Sequence, residues 1–117
     1  VTLCGSMRFF PQMLDVAAEL TRRGVIVLAP FAVIPTGEQS SPVKSRLDEL
    51  HLRKIALSDR VVVVTDSSLY VGESTRAEIV YAVDNGKPIS WAVREPLRVT
   101  LIDEMAPYAP KNFGGAR

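Results

Sequence analysis

Apolar residues along the 117-residue chain fall into short continuous runs that alternate with stretches of helical period. "VTLC" (Val1–Cys4), "VIVLAP" (Val25–Pro30), "RVVVVTD" (Arg60–Asp66) and "PISWAV" (Pro88–Val93) are β-branched or apolar throughout, and so predict strands buried on both faces. Between them, Phe10, Met13, Leu14, Ala17 and Leu20 recur at helical spacing, and Arg22-Arg23-Gly24 supplies a basic last turn and a glycine stop. A second helix is predicted over Pro42–Ser58, with Leu47, Leu50, Ile55 and Leu57 on its apolar arc. A third is predicted over Ser74–Asn85, closed by Gly86. Phe31–Ser41 holds proline, glycine and serine without periodicity, and its length predicts a loop or lid over a site. From Arg94 onward no single element is favoured.

The order β-α-β-α-β-α-β predicts one α/β domain over residues 1–117, a small doubly wound, flavodoxin-like or Rossmann-like parallel sheet of four to five strands with helices on both faces. Ligands of such sheets bind beyond the carboxyl ends of the strands, near the switch in strand order. That rule selects Gly5–Phe9, Pro30–Phe31, Asp66–Glu78 and the surroundings of Trp91.

Composition narrows the function. The charged content is 23% and the formal net charge is +1, without a Lys/Arg block, so neither a nucleic-acid polymer nor an anionic membrane is the expected partner. One cysteine and one histidine are too few for a structural zinc site, which predicts no metal, no cofactor and a reducing, cytoplasmic setting. No apolar stretch is long enough to span a bilayer, and the apolar start lacks the features of a signal peptide.

Three constellations carry candidate chemistry. "CGSMRF" sets Gly5, Ser6, Arg8 and Phe9 just past the first strand, where backbone N–H groups and a guanidinium can hold a phosphate; it is neither a dinucleotide fingerprint nor a Walker loop. "GESTRAE" places Thr75 three residues before Glu78, a pattern that reads either as a capping box or as a carboxylate held ionised in the first turn of a helix at the ligand edge. Ser74, with nearby N–H groups, is a further anion contact, and Asp66, Tyr70 and Gly72 lie in the same segment. The directions of His51 and Lys54 fall within the apolar arc of the second helix, so both are expected to point inward. Cys4, at the end of a buried strand, is expected to be inert.

"CGSMR", "SDRVVVVTD" and "GESTRAEIVYA" together resemble the nucleoside 2-deoxyribosyltransferase superfamily, in particular its branch of 2′-deoxynucleoside 5′-monophosphate N-glycosidases, over roughly Val1 to Trp91. The resemblance implies a Rossmann-like homodimer or larger assembly that cleaves the base from a nucleotide or nucleoside without a metal. It gives Glu78 the role of nucleophile and Arg8 a place at the phosphate. A supporting aspartate of the family falls on His51, which makes histidine the implied proton donor to the leaving base. The competing expectation is a nucleotide-binding or sensing module on the same fold, without chemistry.

Overall fold

The computed structural model describes residues 1–31, 42–95 and 98–102. Its elements are β1 (Thr2–Cys4), a single 3-10 turn (Met7–Phe9), α1 (Phe10–Arg22), α2 (Pro42–Leu57), β2 (Val61–Asp66), α3 (Glu73–Asp84), β3 (Ile89–Glu95) and β4 (Arg98–Ile102). The sheet order is β1-β2-β3-β4; the first three strands run parallel and β4 pairs antiparallel with β3. The β4 hairpin resolves part of the segment that periodicity alone left open.

β2 is the centre of the fold because all of Val61–Thr65 is buried. Its side chains alternate between two apolar layers, as the period of a strand requires. Val61 and Val63 join Ile55 of α2, Ile79 and Ala82 of α3, and Trp91. Val62 and Val64 join Leu3 and the α1 residues Met13, Val16 and Leu20. Helices therefore pack against both faces, and each buried valine contributes about 1.5–3 kcal/mol of transfer free energy.

Three expectations are corrected. The Val25–Pro30 run is not a fully buried strand: it meets β1 through one parallel bridge, Thr2 to Leu28, and Ile26 is 81% exposed. An apolar run reports burial only where neighbours cover it, and this one borders β1 at the sheet's edge. On α2, Ile55 is buried but Leu50 and Leu57 are exposed, and on α1 the buried position is Val16 while Leu14 is exposed. The Phe31–Ser41 loop, apart from Phe31, lies outside the described residues. Among the described residues, no helix is long and apolar enough to cross a membrane.

Two local features position the site. Gly5 has φ +153, and a Cβ there would lie 2.6 Å from the Val64 carbonyl oxygen, so only glycine lets the chain leave β1 this close to β2. Thr2 Oγ1 donates to the Lys54 carbonyl at 2.9 Å and pairs with Ser58 Oγ, tying the end of α2 to β1.

Candidate active site

A cavity of about 580 Å³ lies where the chain leaves β1 and β2. Gly5, Ser6, Arg8, His51, Gly72, Ser74 and Glu78 all line it, which brings seven of the ten sequence-selected residues together. Phe9, Asp66 and Tyr70 are not among its lining residues. Phe9 is buried in the α1-side layer instead. Asp66 accepts from the Ser68 N–H and hydroxyl, so it shapes the turn after β2; the Ser68 hydroxyl is the main cause holding its carboxyl below the usual range. Tyr70 reaches the site indirectly, through its ring 4.0 Å from the Arg8 guanidinium.

Glu78 does not cap its helix. The N-cap of α3 is Gly72, without a side-chain cap, so Thr75 occupies the third helical position and Glu78 the sixth, in the second turn. The expected capping box is absent, because the helix starts at Glu73. The expectation that a first-turn dipole keeps this carboxylate ionised is also corrected. The Glu78 side chain is 12% exposed, and burial, followed by the charge of Asp48, raises its pKa from 4.5 to about 7.

His51 faces Glu78, with Nε2 3.8 Å from Oε1. Burial, followed by the Lys54 charge, lowers its pKa from 6.5 to about 4, partly offset by the Leu3 backbone. Between about pH 4 and 7 both groups are therefore neutral, and the contact is not an ion pair. His51 lines the cavity as a proton donor to a leaving base would, but near neutral pH it is the neutral imidazole, with one ring N–H and without the second, acidic proton. Its Nδ1 has no hydrogen-bond partner among the described residues.

The sequence did not foresee the third member of this group. Cys4 Sγ lies 3.4 Å from His51 Nε2, and a Glu78 carboxylate oxygen lies within 4.8 Å of both. Burial, then Glu78, holds the Cys4 pKa well above the ordinary thiol value, so it is not an activated nucleophile. The signal for it was its place as the last residue of β1, adjoining the ligand edge.

Lys44 was also missed. Its Nζ lies 2.7 Å from Asp48 Oδ2 and 3.3 Å from Ser74 Oγ, which joins α2 to the start of α3. It adds a second cation to the lining beside Arg8. Ser6 Oγ accepts from the Arg8 backbone N–H at 3.3 Å, so it supports the turn that presents Arg8. Lys54, expected to point inward, donates from Nζ to the Ala29 carbonyl at 2.7 Å and so anchors the edge segment.

Chemically, the cavity combines a buried carboxyl of near-neutral pKa with two cationic side chains and two hydroxyls from Ser6 and Ser74. No family model, curated protein or solved structure matches the chain.

Proposed function

We propose that this protein hydrolyses the N-glycosidic bond of a nucleoside 5′-monophosphate, or transfers its sugar between bases, with Glu78 as nucleophile. The observation that carries this reading is a carboxyl group enclosed at the wall of a cavity that Arg8 and Lys44 also line. A nucleotide has the matching pair of demands, an anionic phosphate and an anomeric carbon that becomes cationic as its base departs.

In this reading the phosphate sits with Arg8, Ser6 and Ser74, and the ionised carboxylate attacks the anomeric carbon as the C–N bond breaks. A pKa of about 7 leaves a large fraction of Glu78 ionised near neutrality, and positive charge developing on the sugar favours that form further. The base leaves with a proton taken from solvent, since His51 is neutral. Water then cleaves the glycosyl ester, releasing the sugar phosphate and restoring the carboxylate.

The finer description of the fold belongs to the same reading: a doubly wound, flavodoxin-like domain of the nucleoside 2-deoxyribosyltransferase superfamily, cytoplasmic and homodimeric. Supporting it are the Leu28 bridge outside β1 and the apolar layers on both faces. Incubation with ribo- and deoxynucleoside monophosphates, with free base assayed and binding measured in parallel, tests the activity. Release of base that disappears in Glu78→Gln supports it; tight binding without any release replaces it with the sensing module.

A further inference from the structure

We propose that Cys4, His51 and Glu78 form a binding site for a soft divalent transition-metal ion of the zinc class, with a remaining coordination position facing the cavity. The three side chains come from β1, α2 and α3, and their ligating atoms all lie within 4.8 Å of one another. Tetrahedral zinc with bonds of about 2.3 Å to sulfur and about 2.0 Å to nitrogen and oxygen sets its S and N donors about 3.5 Å apart and its N and O donors about 3.3 Å apart. Here Cys4 Sγ and His51 Nε2 are separated by 3.4 Å, and His51 Nε2 and Glu78 Oε1 by 3.8 Å. Cys4 Sγ and the Glu78 oxygen lie within 4.8 Å, against about 3.5 Å in a tetrahedral zinc site, so a movement of the Glu78 carboxylate of up to about an ångström toward the other two donors completes the geometry.

The donor set chooses the ion. A thiolate and an imidazole favour zinc and its neighbours and disfavour magnesium or calcium, which take oxygen ligands. The His51 side chain is only 7% exposed and its Nε2 contacts both other donors, so the ring is already aimed. Packing of β1, α2 and α3 on one core holds the ligands in place without the ion, as a preorganised site requires. His51 and Glu78 line the cavity, which supplies the path of entry.

Binding involves no change of oxidation state. The ion takes the place of the thiol proton and of any proton on Glu78, releasing one or two protons per ion, while neutral His51 offers a lone pair. An ion held by Glu78 ties up the carboxylate, so zinc inhibits base release. That consequence rests on the glycosidase reading; the site itself does not.

The test uses the reduced, metal-free full chain titrated with Co2+ and then Zn2+. Expected are one equivalent of Co2+, a thiolate-to-cobalt charge-transfer band with the intense visible bands of four-coordinate cobalt, and their loss when Zn2+ is added. Cys4 is the chain's one cysteine, so a thiolate band has one possible origin. Cys4→Ser removes that band, and His51→Gln weakens binding at least tenfold. Wild-type protein that keeps its circular dichroism but shows no thiolate band overturns the proposal, as does unchanged affinity in both variants. Base release, assayed separately, reports on Glu78 as a nucleophile and leaves the spectroscopic result independent of it.

Discussion

His51 Nε2 stands 3.8 Å from Glu78 Oε1, yet burial moves their pKa values in opposite directions, to about 4 and about 7. The two shifts have opposite consequences for stability. Glu78 stays protonated in the folded chain between about pH 4.5 and 7, where the unfolded chain has lost that proton, so its effect is falling stability as pH rises through this window. His51 is neutral when folded but charged when unfolded between about pH 4 and 6.5, so its effect is rising stability over that range. Each is worth about 3 kcal/mol at 1.36 kcal/mol per pKa unit.

Wild-type stability, measured by urea unfolding with a chelator present, is accordingly nearly flat between about pH 4.5 and 6.5 with respect to this pair. Glu78→Gln unmasks the histidine, and stability then rises from pH 4 to 6.5. His51→Gln unmasks the acid, and stability falls from pH 4.5 to 7. Parallel profiles for all three proteins would refute the assigned shifts.

Glu78→Gln also separates chemistry from binding. The amide keeps the shape but cannot attack carbon, so base release falls on the order of 10³-fold or more while nucleotide affinity changes little. Isothermal titration beside a free-base assay gives both numbers; retained turnover removes Glu78 from the mechanism.

Arg8→Ala is expected to raise KM for a nucleoside monophosphate by roughly tenfold or more, since a charge-assisted hydrogen bond to phosphate is worth about 1.5–3 kcal/mol. Tyr70→Ala, which removes the ring 4.0 Å from the guanidinium, has a smaller effect in the same direction. A free nucleoside, lacking the phosphate, is insensitive to both changes. Equal losses on nucleoside and nucleotide would place Arg8 elsewhere.

Gly5→Ala drives a methyl group toward the Val64 carbonyl oxygen, with 2.6 Å between them before any relaxation. The cost is roughly 1–3 kcal/mol, seen as a lowered urea midpoint, because the obstacle is backbone and cannot rotate away. Gly24→Ala is the control: its φ is also positive, at +83, but nothing lies within 4 Å of the added carbon.

The parallel strands β1, β2 and β3 were legible because their apolar runs are covered from both sides, and α1 because its apolar residues recur at helical spacing; the extent of α2 and α3 was legible, but on α2 the spacing selected Leu50 and Leu57, which are exposed. Val25–Pro30 carried the same apolar signal without the same cover, and Ile26 at the edge shows why pattern alone misleads. Glu78 was legible as a candidate, but its environment was not. A helix start two residues before Thr75 moved the acid from the first turn to the second, out of the dipole and onto the enclosed wall of the cavity. The Cys4 contact was invisible for a different reason: residues 4, 51 and 78 meet through three-dimensional packing, and no spacing along the chain encodes it.

The single thiol has a use beyond the site. Cys4 has no solvent-accessible surface, and its neighbours belong to α2 and α3, so a thiol reagent reaches it only when those helices part from β1 or when the reagent enters through the cavity. Its labelling rate with reagents of graded size is therefore a natural clock for breathing. A rate independent of reagent size measures opening of the helix layer, and a steep dependence on size measures the width of the entrance.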